Sequence, residues 1–141
     1  GMGLAQLRKA ETMWRRRVAI AQRYSRAFAP LDELILPAER DDCQHDWPLY
    51  MVRLNLDRLR IGRGEFVEEL RRHGIGASVH FIPLHVHPYY RDTYCYSPDE
   101  FPVSYHEYLR EVSLPIYSKM EESDVEYVVE TVMSIIQAFH V

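Results

Sequence analysis

The sequence predicts an α+β fold, a small three-stranded sheet covered by helices, and three observations lead to it. Residues 4–28 contain neither Gly nor Pro and repeat apolar residues at helical spacing. Residues 49–56 are a β-rich run with apolar residues on alternate positions. Near the C-terminus Val125, Val128, Val129, Val132, Ile135, Ile136 and Phe139 form an unbroken helical stripe. The full order is helix, strand, helix, strand, a long loop leading to a short helix, strand, helix. A chain of 141 residues with 47% apolar content suits one domain, 1–141, with a real core.

In the first helix Leu4, Leu7, Trp14, Val18, Ala21 and Phe28 share a face. It would be ~37 Å long and end before Pro30. That is long for this domain, so part of it is expected to pack on something outside. Residues 30–47 read as irregular, and 49–56 is the first strand. Residues 57–64 lead to a second helix carrying Phe66, Val67 and Leu70 on one side, with Gly74 just past its end. Residues 77–82 read as a second strand. Residues 83–102 read as a loop with room for a turn of helix, rich in Pro, His, Tyr and Asp and of a length usually reserved for function or mobility. A short helix at 103–110 precedes a third strand at 112–116, placed at a sheet edge by Pro115. Ser118 to Glu121 fits a capping box for the last helix. The helical crossover after the first strand leaves parallel pairing open as well.

The net charge of −4 hides an asymmetry. Residues 1–29 carry seven cations against Glu11 alone, a balance of +6, so the remainder is −10. Arg15, Arg16 and Arg17 are consecutive and spread over roughly 200° of helix rather than forming a phosphate-tracking stripe. A solvated or partner-facing helix is expected, and no nucleic acid. No apolar run approaches the ~20 residues of a membrane span and no signal peptide is visible, so a cytoplasmic protein without membrane contact is expected. Cys43 and Cys95 form no CxxC pair, which fits a reducing compartment. Gly1-Met2 reads as a tag remnant before an initiator Met.

Catalytic signatures are sparse: there is no GxSxG, P-loop, GxGxxG or HExxH. His80, His85 and His87 lie close together, with Asp92 and Cys95 nearby. Zinc needs three or four converging ligands, and this spacing matches no common structural zinc pattern, so a polar loop lining is the plainer reading and no metal is expected. Phe81, Tyr89, Tyr90, Tyr94, Tyr96 and Phe101 could stack a sugar or base, or pin the loop to the domain. The lysines are two, Lys9 and Lys119, and neither has the apolar neighbours that lower an amine pKa for Schiff-base chemistry.

The stretch from Gly74-Ile75 through Val79-His80-Phe81-Ile82-Pro83-Leu84-His85 to Pro88-Tyr89-Tyr90 resembles a segment of the DegT/DnrJ/StrS sugar aminotransferases. Gly3-Leu4-Ala5-Gln6-Leu7, His45-Asp46-Trp47-Pro48-Leu49-Tyr50, Arg63-Gly64-Glu65-Phe66 and Ser113-Leu114-Pro115-Ile116-Tyr117 are similar to further motifs of that family, in the same order. The resemblance implies the small C-terminal domain of a fold-type-I enzyme that uses pyridoxal phosphate (PLP) to aminate nucleotide sugars for polysaccharide and related pathways. It implies that the cofactor lysine belongs to a larger N-terminal domain, to which helix 4–28 would link. This chain alone is therefore expected to hold no cofactor and to be inactive, with no catalytic residue of its own. His80, Phe81 and His85 would shape the sugar pocket, and Tyr89 and Tyr90 would anchor the loop or touch substrate. Three positions depart from the family pattern: Cys95 for a common Gly, Ser118 for Pro, and Glu121 for a Thr cap. A non-catalytic interaction or oligomerisation module is the alternative, and a histidine metal module a further one. With Trp14, Val18 and the helix face uncovered, a homo-oligomer is expected, or pairing with a separately encoded PLP domain.

Overall fold

The computed structural model describes residues 2–141, and the reading of Gly1 as a tag remnant lies outside the described residues. The first helix is two: α1 (Met2–Leu7) and α2 (Ala10–Phe28). This corrects the single helix expected over 4–28. At the joint the Lys9 N–H bonds the Gln6 carbonyl at 2.9 Å, a tighter turn than the α-helical ladder. None of the α1 side chains is buried, so no tertiary packing holds it in line with α2. The core face of α2 is Ile20, Ala21, Tyr24 and Phe28.

The sheet has the order β1 (Leu34–Ile35), β2 (Tyr50–Leu54), β3 (Glu111–Leu114) and is antiparallel throughout. The two-residue β1 lies in the stretch read as irregular and is too short to show a period. Residues 77–82 are not one of the three strands, a correction. They meet β3 through one bridge, Ser78 to Ser113, and the next pair would set His80 opposite Glu111. There the Glu111 carboxylate takes the His80 N–H at 2.9 Å, where a ladder would use a carbonyl. Strand β3 lies at the edge as expected but ends before Pro115.

Tyr50, Val52 and Leu54 of β2 face the core beside Val112 and Leu114 of β3. Tyr24 meets Tyr50 edge-on at 5.1 Å and gives its hydroxyl proton to the Pro115 carbonyl at 3.0 Å. Burial pushes the phenols of Tyr24 and Tyr50 up. Helices α2 and α3 (Arg63–Arg72) pack on α6 (Glu122–Phe139), whose predicted stripe is buried except for the half-buried Phe139. The Glu121 N–H bonds Asp124 Oδ2 at 2.8 Å, so the cap of α6 sits at Glu121 and not at Ser118 as expected. Residues 117–120 form a turn first, closed by the Met120 N–H on the Tyr117 carbonyl.

The cations of α2 brace the molecule. Arg16 reaches the Met120 carbonyl, Arg17 the Asp46 carbonyl, and Arg23 pairs with both oxygens of Glu126 at 2.6 Å. The hydrogen bonds from Arg23 hold the Glu126 carboxyl below its usual range. Trp14 donates its indole N–H to the His45 carbonyl at 2.9 Å. Trp14 and Val18 are half-buried, and with residues 39–47 they line a shared depression. They are therefore not the uncovered face expected; Met2, Leu4 and Leu7 are, at 84%, 58% and 70% exposed.

Candidate functional site

The outer face of the sheet carries the polar residues. Strand register puts Glu111 and Ser113 on the same side as Arg53 and Met51, opposite the core. Arg53 meets Glu107 of α5 (Pro102–Arg110) at 3.2 Å, and Arg110 also pairs with Glu107. Hydrogen bonds from Arg110, and then from Arg53, hold the Glu107 carboxyl below its usual range. Residues 78–80 lie along the free edge of β3, and Glu111 and Ser113 are buried. His80 Nδ1 is 3.0 Å from Ser113 Oγ, and Ser113 Oγ donates to Glu111 Oε1 at 2.9 Å. The imidazole is thus fixed at a strand edge by two groups on one face of β3.

The His80–Phe81 peptide is cis, and the Phe81 ring stands edge-on to His80 at 4.9 Å. Phe81 is 79% exposed.

Beyond Pro83 the expected loop is largely helical: a 3-10 turn at Leu84–Val86, α4 (Pro88–Tyr94), a 3-10 turn at Pro98–Glu100, then α5. Pro88, Pro98 and Pro102 each stand at the first turn, where the missing N–H costs nothing. The two 3-10 turns and the seven-residue α4 are too short for a periodicity reading, whereas α5 falls where a short helix was expected at 103–110. His85 is 6% exposed and stacks on Phe101 at 4.6 Å. With Leu84, Tyr90, Tyr94, Tyr96 and Ser104 these two line an open cleft of about 710 Å³. His85 Nε2 is buried there with no hydrogen-bond partner among the described residues. Tyr90, Tyr94, Tyr96 and Phe101 follow one another ring to ring, so they pin the segment and wall the cleft together. Tyr89 lies on the flank, 67% exposed and edge-on to Tyr90.

The five residues singled out by sequence thus fall into two groups. His85 and Tyr90 share the cleft with Tyr89 beside it, while His80 and Phe81 sit at the sheet edge. Among the described residues no three His, Cys, Asp or Glu side chains are grouped to hold a metal ion. His80 is engaged by Ser113, His85 is stacked, and His87 Nε2 is 3.3 Å from the Ile82 carbonyl. Glu111 and Ser113 are the site residues that sequence reasoning missed. The signal was present: two polar side chains at alternate positions of an otherwise apolar strand.

The described residues do not fit the PLP that the resemblance implies. Lys9 is exposed at the α1–α2 joint and Lys119 is exposed ahead of α6, and neither lines the cleft. No helix of the described residues is long and apolar enough to cross a membrane.

Comparison with known proteins converges on one family. The model of the DegT/DnrJ/EryC1/StrS aminotransferase family matches residues 1–133. The uncharacterized protein MJ1066 of Methanocaldococcus jannaschii is 48% identical over 135 residues, covering 96% of this chain and 35% of that protein. The spore coat polysaccharide biosynthesis protein SpsC of Bacillus subtilis is 39% identical over 137 residues, again 96% of this chain and 35% of its own length. The chain thus spans about a third of the curated relatives it matches. Among solved structures Spr1654 of Streptococcus pneumoniae, assigned as a sugar aminotransferase, superposes in its PLP form with a TM-score of 0.86 at 26% identity. That superposition covers 96% of this chain and 34% of Spr1654.

Proposed function

Because the chain belongs to the DegT/DnrJ/EryC1/StrS aminotransferase family, we propose that it is the small domain of a nucleotide-sugar aminotransferase in amino-sugar or cell-surface polysaccharide synthesis. It supplies a substrate-facing wall, and a larger domain carries PLP. The observation that carries this reading is the Phe81 ring, 79% exposed beside a His80 that buried groups hold in place. An aromatic face with a polar group at its rim suits a sugar, whose ring offers C–H surface ringed by hydroxyls. His85, Phe101 and Tyr90 line the cleft that supports this wall, with Tyr89 edge-on to Tyr90. The α1 side chains Met2, Leu4 and Leu7 are the surface where a larger domain or a second copy docks.

The test has two arms. The 141-residue chain supplied with PLP, an amino donor and a keto sugar should show no turnover, and turnover would overturn the assignment. In the enzyme assembled with its cofactor domain, Phe81→Ala should raise the KM for the sugar nucleotide about tenfold, or ~1.4 kcal/mol, with kcat little changed. An unchanged KM would remove Phe81 from the pocket.

A further inference from the structure

Two buried residues decide which nitrogen of His80 is free. Ser113 Oγ donates its single proton to Glu111 Oε1 at 2.9 Å, while Glu111 Oε2 accepts the His80 backbone N–H at 2.9 Å. An ionised carboxylate only accepts, so the hydroxyl proton is committed to it. The same Oγ lies 3.0 Å from His80 Nδ1 and can only accept there. Ser78 Oγ, 3.4 Å from Nδ1, is a longer neighbour whose hydroxyl can accept or donate and so sets no preference. Ser113 is 3% exposed and Glu111 9%, so water has little access to reroute these bonds. Arg53, paired with Glu111 across the strands, sends its guanidinium to Glu107 instead.

We infer that Nδ1 of His80 carries the proton and that Nε2 presents a lone pair, so that Ser113 and Glu111 are positioning residues that make His80 a hydrogen-bond acceptor. Among the described residues no hydrogen bond engages Nε2. Beside the exposed Phe81 ring, that lone pair fits a ligand hydroxyl that donates while its apolar ring face covers the phenyl group. The tautomer rests on the hydrogen bonds alone; the sugar hydroxyl it would receive rests on the function proposed above.

The tautomer is read directly from long-range proton–nitrogen correlation spectra of the nitrogen-15-labelled chain, at a pH where the imidazole is neutral, with His80→Gln identifying the signals. The wild-type chain should show Nδ1 protonated and Nε2 bare. In Glu111→Gln the amide carbonyl stays on the His80 N–H and the NH2 turns to Ser113 Oγ. The serine proton is then free to be donated to Nδ1, and the imidazole proton moves to Nε2. Ser113→Thr keeps the hydroxyl and should keep the wild-type tautomer, whereas Ser113→Ala should lose the preference for Nδ1–H. An Nε2–H form in the wild type, or a tautomer unmoved by both Glu111→Gln and Ser113→Ala, overturns the inference. Either result leaves the KM test of Phe81 standing, so the two ideas fail separately.

Discussion

At Cys95 the backbone adopts φ 56° and ψ 31°, ending α4 in the left-handed region without a glycine. A side chain there costs of order 1–2 kcal/mol, because Cβ crowds the carbonyl oxygen. Glycine would relieve that cost but give back ~0.5–1 kcal/mol through its freer unfolded chain. Cys95→Gly should therefore raise stability by ~0.5–1 kcal/mol, visible as a higher urea midpoint with an unchanged slope. An unchanged or lower midpoint would mean that the thiol makes a compensating contact. The sequence marked Cys95 as a departure from a common Gly, and the structure puts this cysteine in a conformation that glycine adopts more readily. The proposed roles of His80, Phe81 and His85 come from a motif, which names positions. Glu111 and Ser113 were not legible in the sequence, because what they do depends on a segment some 30 residues away in the chain lying against them.

The end of α3 shows an element that the sequence specified fully. Gly74 has φ 73°, the Ile75 N–H bonds the Leu70 carbonyl at 2.9 Å, and the Gly74 N–H bonds the Arg71 carbonyl at 2.9 Å. These are the two bonds of a Schellman motif, with Ile75 and Leu70 both buried as its hydrophobic contact. A Cβ at Gly74 would meet nothing within 4 Å, so the penalty for adding one is backbone strain alone. Gly74→Ala should destabilise by about 1–2 kcal/mol in chemical unfolding. A neutral result would show that α3 can end another way. By contrast, residues 77–82 have strand composition and only one bridge. The carboxylate of Glu111 took the next ladder position, a side-chain event that no local propensity encodes. The α6 cap moved for a related reason: Ser118 falls within the turn before the helix, and Asp124 supplies the carboxylate instead.

For the molecule as a whole, the arginines of α2 are consumed internally and the apolar residues of α1 are not. Trp14 and Val18 have neighbours from residues 39–47, and the exposed apolar surface passes to Met2, Leu4 and Leu7. The chain by itself should form a dimer or larger species at micromolar concentration through α1, and light scattering should return a monomer mass for the Leu4→Glu/Leu7→Glu double variant. A wild-type monomer at that concentration would assign α1 to a different neighbour or to solvent. By itself the sequence determined the α+β class, the helical stripes, the glycine end of α3 and the family, because periodicity, turn chemistry and motifs are local properties written in consecutive residues. Only the tertiary structure decided the antiparallel order of the sheet, the partners of the basic helix and the anchoring of His80. Each of those depends on which distant groups compete for the same hydrogen bond or the same apolar face, and that competition is settled only once the chain is folded.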